Sequence, residues 1–173
     1  MSKTTKNLMA AFQGESEARN RYTFFAEIAR NEGYHYIAKI FEETAENEKF
    51  HALEEIKLLL GETSTLENLK EAVGGENYES EDMYPRFAEE ADLEGNQAAA
   101  ILFTQIAKIE KHHRDRFRKL YDLVEQKMVY RRDEAIKWKC GICGYVYEGT
   151  EPPMKCPYCK HPQEYYEPAN LDV

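Results

Sequence analysis

Ahead of residue 137 the chain has no cysteine, no tryptophan and a single proline, Pro85. So little proline over so long a stretch excludes a loop-rich fold there, and the abundant Ala, Glu, Lys and Leu are the composition of long helices. No apolar run approaches a membrane span, and the N-terminal MSKTTKNLMAAF has no apolar stretch of signal-peptide length. A soluble, cytoplasmic protein without a membrane partner is expected. Positive charge is also in short supply. With 23 Lys and Arg against 32 Asp and Glu, the formal net charge is −9, which argues against nucleic acid or an anionic membrane surface as the main partner. No Gly-x-Gly-x-x-Gly fingerprint occurs, so any dinucleotide chemistry would belong to a separate protein.

The last forty positions hold what the rest lacks: all four cysteines, five of the six prolines, the one tryptophan and a cluster of tyrosines. Glu125–Ile136 is mostly charged and lies between the two regimes, so it reads as a helix end and linker. Two domains are expected, a helical one over 1–133 and a small cysteine domain over 134–173.

Within the helical domain a segment recurs. Residues 22–51 laid over 84–113, a shift of 62, match Tyr22 with Tyr84, Phe25 with Phe87, Gly33 with Gly95 and Phe41 with Phe103. The same shift carries Glu48-x-x-His51 onto Glu110-x-x-His113. A helix-turn-helix unit occurring twice is implied, and within each pair one helical turn sets the carboxylate and imidazole on one face. Four helices are expected. The first carries a stripe of Leu8, Ala11, Phe12, Ala18, Tyr22, Phe25 and Ala29, with Glu15 inside it and Glu17 outside. The second, over about 35–60, buries Ile37, Ile40, Phe41, Ala45, Ala52 and Leu59 beside Glu48 and His51. A crossing connection with one short helical turn is expected over 62–75, and Gly74-Gly75 then releases a third helix over about 76–94 carrying Glu76 and Glu79. The fourth, over about 96–127, buries Phe103, Ile106, Ala107, Phe117, Leu120 and Val124 beside Glu110 and His113.

Five inward acids, Glu15, Glu48, Glu76, Glu79 and Glu110, cannot be buried together as anions without cations among them. Two metal ions resolve the conflict, and a carboxylate-rich set with only His51 and His113 suits iron or manganese. A lone Glu-x-x-His in a charged helix is common by chance; two at the repeat offset, each in an apolar stripe, are not. His35, His112 and His161 have no such setting, and His35 and His112 read as exposed or locally bonded. One mismatch stands out: the shift of 62 places Glu15 on Asn77 and Glu79 on Glu17.

Cys140-Gly-Ile-Cys143 and Cys156-Pro-Tyr-Cys159 are two knuckles separated by twelve residues, a spacing for a tetrahedral four-thiolate site of zinc or a single iron. A domain this small needs its metal to fold, with Trp138, Tyr145, Tyr147 and Tyr158 as aromatic core material. Its lysines are outnumbered by acids, so it makes a poor nucleic-acid ribbon and a redox iron is the better reading.

Taken together, Ala11-Phe12-Gln13-Gly14-Glu15-Ser16, Ala18-Arg19-Asn20-Arg21-Tyr22, the two Glu-x-x-His pairs, Glu76-x-x-Glu79 with Met83-Tyr84-Pro85, and Trp138-Lys139-Cys140 through Cys143-Gly144-Tyr145 resemble the rubrerythrin family over nearly the whole chain. The resemblance implies an all-α, ferritin-like four-helix bundle followed by a rubredoxin-like four-cysteine iron domain. It further implies Glu48 and Glu110 as bridging ligands of two irons, Glu15 and Glu76 as terminal ligands, and His113 on one iron. Glu79 and His51 would exchange on the other, with Tyr22 and Tyr84 as hydrogen-bond partners of the carboxylates. The activity implied is reduction of hydrogen peroxide to water in oxidative-stress defence. Electrons would come from rubredoxin or an NAD(P)H-dependent reductase through the four-cysteine iron, in a homodimer, with zinc or manganese as alternatives at one bundle position. Two other readings compete: a ferroxidase handling iron, and a non-enzymatic bundle with a structural zinc ribbon.

Overall fold

The computed structural model describes residues 1–170. Its element order is α1 (Lys3–Asn31), α2 (His35–Leu60), α3 (Thr65–Tyr78), a π-helical segment (Glu79–Met83), α4 (Tyr84–Leu93) and α5 (Gln97–Glu125). Three short strands follow, β1 (Ile136–Cys140), β2 (Val146–Gly149) and β3 (Tyr166–Pro168). The fold class is a four-helix ferritin-like bundle with a rubredoxin-like domain, the third helix being α3, the π segment and α4 in unbroken succession. Met1–Thr63 and the residues described from Ser64 onward form two compact units. No helix among the described residues is long and apolar enough to cross a membrane.

In the first unit α1 and α2 form an antiparallel hairpin. Gly33 ends α1 with a φ of 86°, a left-handed conformation that glycine adopts without steric cost, and the Tyr34 N–H reaches back to the Ala29 carbonyl at 2.8 Å. The second unit repeats the device with Gly95 at φ 77° and Asn96 N–H to Ala91 O at 2.8 Å. The aromatic trio repeats as well. Ring centroids of Tyr22, Phe25 and Phe41 lie 6.3, 6.0 and 5.6 Å apart, and those of Tyr84, Phe87 and Phe103 lie 6.3, 6.0 and 5.7 Å apart. The internal repeat of the sequence is therefore a repeat of packing.

Three expectations need correction. Tyr145, Tyr147 and Tyr158, expected in the core of the cysteine domain, are exposed, Tyr158 at 78%. The segment 62–75 is not a crossing connection: Ser64 caps α3 by a reciprocal capping box with Glu67, and the helix runs through Gly74 and Gly75. Only Gly61–Ser64 joins α2 to α3. Ile37 and Ile40, expected to be buried, are 46% and 44% exposed. The hairpin seam is lined instead by Ala26, Ala29, Ala38, Ala45 and Ala52, small residues that let the helices approach closely. Phe41 packs at its edge.

The small domain is a three-stranded antiparallel sheet in the order β2-β1-β3. Its core is Trp138, Cys140, Cys156 and Tyr166, all buried, and the Trp138 indole N–H donates to the Gly149 carbonyl at 2.9 Å. Arg132 lies over the Trp138 ring at 5.2 Å, and the Tyr130 hydroxyl donates to the Glu164 carbonyl, fastening the linker to the sheet.

Candidate metal centres

Three clusters of ligand-type side chains occur among the described residues: Glu15, Glu48 and His51; Glu76, Glu110 and His113; and the four cysteines. Within each, ligand atoms lie within 4.8 Å of one another. In the first hairpin His51 Nδ1 is 2.9 Å from Glu48 Oε2 and 3.6 Å from Glu15 Oε2. In the second unit His113 Nδ1 is 2.6 Å from Glu110 Oε2 and 3.7 Å from Glu76 Oε2. These two half-sites have one geometry. In both, the glutamate one turn before the histidine is the more sheltered acid, Glu48 at 16% and Glu110 at 15% side-chain exposure.

The electrostatics are those of crowded acids. Its hydrogen bond with Glu48 raises the pKa of Glu15, and the same bond lowers that of Glu48. Glu48 and Glu15 also hold the His51 imidazole above its ordinary value. Burial, followed by the neighbouring Glu110, raises Glu76. A metal cation set among these acids would favour their ionised forms. The donor set of hard oxygens with one imidazole fits iron or manganese.

Glu79 opens the π segment, half-buried. Its carbonyl accepts from the Tyr84 N–H five residues on, the widened turn that defines a π-helix. Such a bulge is one residue inserted into an α-helix, and this resolves the mismatch in the repeat. Seven residues separate Glu15 from Tyr22 but eight separate Glu76 from Tyr84, so Glu15 matches Glu76 at a shift of 61 and the shift becomes 62 after the bulge. Arg114 of α5 fixes the segment by donating to Glu81 at 2.7 Å and Asn77 at 3.3 Å. Tyr84 lies near the second half-site: burial, then the charges of Glu79, Glu110 and Glu76, raises its pKa. Tyr22 stands in the matching place, half-buried in the first trio. Glu17 is exposed in a surface pair with Arg21. One acid escaped the sequence reading: Glu55, one turn beyond His51, has a buried carboxylate oxygen without a hydrogen-bond partner.

The cysteines form two matching knuckles. Cys140 N–H donates to Tyr145 O and Gly144 N–H to Cys140 O, both at 2.8 Å; Cys156 N–H donates to His161 O at 2.8 Å and Lys160 N–H to Cys156 O at 3.0 Å. Gly144 and Lys160 occupy the same left-handed position, at φ 75° and 66°. Across the knuckles Cys140 and Cys159 sulfurs are 3.7 Å apart, and Cys143 and Cys156 sulfurs 3.6 Å. A metal with bonds of about 2.3 Å to four sulfurs needs tetrahedral edges of about 3.8 Å, so the cage has the right size. Backbone N–H groups of Cys143 and Ile142 lower the Cys140 pKa. Burial opposes ionisation of Cys156, yet N–H groups of Cys159 and Tyr158 and the nearby Tyr166 hydroxyl bring it down to about 6. The His161 N–H favours the Cys159 thiolate, but burial and the sulfurs of Cys143 and Cys156 outweigh it and push that thiol up to about 12. The Tyr166 hydroxyl is itself buried without a hydrogen-bond partner.

Comparison with known proteins bears on both domains. Residues 6–121 match the family profile described as rubrerythrin, and residues 138–167 match that of the rubrerythrin rubredoxin-like domain. A rubrerythrin of Clostridium perfringens is 46% identical over 183 aligned positions, covering 96% of this chain and 94% of the relative. A rubrerythrin of Porphyromonas gingivalis is 48% identical over 184 positions, covering 99% and 92%. Because 96% of 173 residues fill 183 aligned positions, about 17 of those positions are residues that only the Clostridium protein has. A nigerythrin solved in a mixed-valence state is 35% identical, with 97% of this chain and 87% of that one covered and a TM-score of 0.37.

Proposed function

The chain belongs to the rubrerythrin family, and from that premise we propose that it is a non-haem di-iron peroxidase that reduces hydrogen peroxide to water in oxidative-stress defence. The observation that carries the reading is the pair of equivalent half-sites, each with two glutamates and a histidine, on a chain that also holds a four-cysteine cage sized for one metal. Glu15, Glu48, Glu76, Glu79, Glu110, His51 and His113 would hold two irons, and Cys140, Cys143, Cys156 and Cys159 a third. When bound, the paired irons supply the two electrons that cleave the peroxide O–O bond.

The chain's own groups supply the rest. Reduction of one peroxide to two waters consumes two protons. Tyr22 and Tyr84 would donate hydrogen bonds that orient the ligand carboxylates once the metals are held. Glu79 and His51 are alternative ligands for one iron, and Glu79 has the freedom for this because it sits on the π segment, where the helical ladder is already relaxed. Cys140, Cys143, Cys156 and Cys159 would hold an iron that can return electrons to the pair one at a time, with rubredoxin or an NAD(P)H-dependent reductase as donor, in a homodimer in the cytoplasm.

The test is anaerobic stopped-flow oxidation of the iron-loaded, reduced protein by peroxide and by dioxygen separately. Peroxide is expected to react the faster, with one peroxide consumed per iron pair. Faster oxidation by dioxygen with growth of a mineral core would replace this reading with ferroxidase, and a colourless protein whose cysteines take only zinc would remove the electron path.

A further inference from the structure

The two histidines of the repeat are followed by unlike residues. Ala52 comes after His51 and is buried in the alanine seam, whereas Arg114, its counterpart at the shift of 62, comes after His113 with its side chain only 20% exposed. A guanidinium so sheltered needs acceptors for its N–H groups.

Arg114 finds them on its own helix and on the neighbouring one. Asp115 Oδ1 accepts from its Nε at 2.9 Å and lies 2.8 Å from its Nη2, which pins one edge of the fork. The remaining nitrogen, Nη1, spans two residues across the helix interface, donating to Glu81 at 2.7 Å and to Asn77 at 3.3 Å. These two lie four positions apart and flank Glu79, the residue that opens the π segment. The bridge therefore crosses the widened turn. Rewinding that turn to regular α-helix rotates Glu81 relative to Asn77, and one nitrogen no longer serves both. In the first hairpin the place of Asn77 is taken by Ser16, whose hydroxyl donates within its own helix to the Phe12 carbonyl at 2.6 Å.

Glu79 is the acid that the bridged turn carries. Its charge is felt by Glu76 and Tyr84, yet it stands outside the cluster of Glu76, Glu110 and His113. With the bridge in place, Glu79 is thus near the second half-site but withdrawn from it. Resting on the di-iron reading, we propose that Arg114 is a positioning residue that staples the π segment with Glu79 withdrawn, and that release of this staple lets Glu79 replace His51 on one iron. An anionic carboxylate suits ferric iron better than a neutral imidazole does. The staple therefore favours the reduced pair, and breaking it favours the oxidised one.

Two full-length variants test this, alone and combined. Arg114→Met keeps the aliphatic stem and loses the donors; Glu81→Ala removes an acceptor that is itself 55% exposed, so the helix is spared. In metal-free protein each is expected to speed backbone amide exchange over Glu79–Tyr84 about threefold, and the double variant no more than either alone, since both break one bridge. Additive rates, or rates equal to wild type, overturn the staple. In iron-loaded protein the midpoint potential of the pair separates the staple from plain charge. Losing the Arg114 cation and losing the Glu81 anion shift a potential in opposite directions if they act through charge alone. Loss of the staple lowers it in both variants, so a raised potential in Glu81→Ala overturns the proposal. Variants that shed the iron pair as Glu110→Ala does show Arg114 to be a mere prop and overturn it too. Wild-type protein that binds no iron pair sinks the di-iron reading instead, and the two failures are distinguishable.

Discussion

His51 and His113 hold matching places in the repeat, each bonded to the glutamate one turn before it, yet their wider surroundings differ at one position. The second half-site has Glu79 nearby, while the residue that matches Glu79 at the shift of 61 is Ala18. If Glu79 and His51 alternate on one iron, His51→Ala slows peroxide turnover by about tenfold or more while most of the iron stays bound. Iron content and turnover measured on one preparation check this, and equal loss of both contradicts the exchange of ligands. Glu48→Ala removes a sheltered acid proposed to bridge the irons, so it is expected to abolish the iron pair outright. At the other centre, the Tyr166 hydroxyl is buried beside the Cys156 sulfur. Tyr166→Phe removes the hydroxyl dipole that would face a metal-bound Cys156 thiolate. That stabilises the oxidised state by about 1 kcal/mol, on the order of 40 mV in a one-electron potential, and lowers the potential measured by spectroelectrochemical titration.

Among the elements, the π segment does most to set the site, because a single extra residue turns everything before it by about 100° relative to everything after. Deleting Ser80 converts the segment to regular α-helix. The aromatic trio of Tyr84, Phe87 and Phe103 then keeps its packing while Glu76 swings away from Glu110 and His113. The expected result is helical circular dichroism close to wild type with loss of the iron pair; a deletion variant that keeps both irons shows that the bulge is not what aims Glu76. The ends of α1, α2 and α4 were legible because Gly33, Gly61 and Gly95 end helices in ways that glycine favours, and the aromatic and Glu-x-x-His spacings exposed the repeat. The start of α3 was not. Gly74 and Gly75 each cost about 1 kcal/mol in a helix, which made them read as breakers, but the Ser64–Glu67 cap and the burial of Val73 hold the helix through them. No residue type encodes a π bulge either. Its one trace in the sequence was Glu15 falling against Asn77 instead of Glu76, a slip of one position whose cause only the backbone reveals.

At the scale of the molecule, two kinds of cohesion coexist in one chain. The helices bury alanine seams and hold half-exposed apolar faces, so their secondary structure rests on the packing within each hairpin. The small domain has four buried residues at its core, two of which are cysteines, and strands of three to five residues. Hydrophobic burial on that scale does not offset the entropy of ordering the chain, so its stability is the stability of its metal. Trp138 reports on this alone, being the one tryptophan in the chain and fully buried. Stripping the four-cysteine metal with a chelator under reducing conditions is therefore expected to shift Trp138 emission to longer wavelength, as the indole loses its bond to Gly149 and meets water, while the far-ultraviolet helical signal stays nearly unchanged. Restoring iron or zinc reverses the emission shift. Emission that stays blue after complete metal loss means that the aromatic core folds unaided. A parallel collapse of the helical signal means that the bundle depends on the small domain, and either outcome contradicts this division of forces.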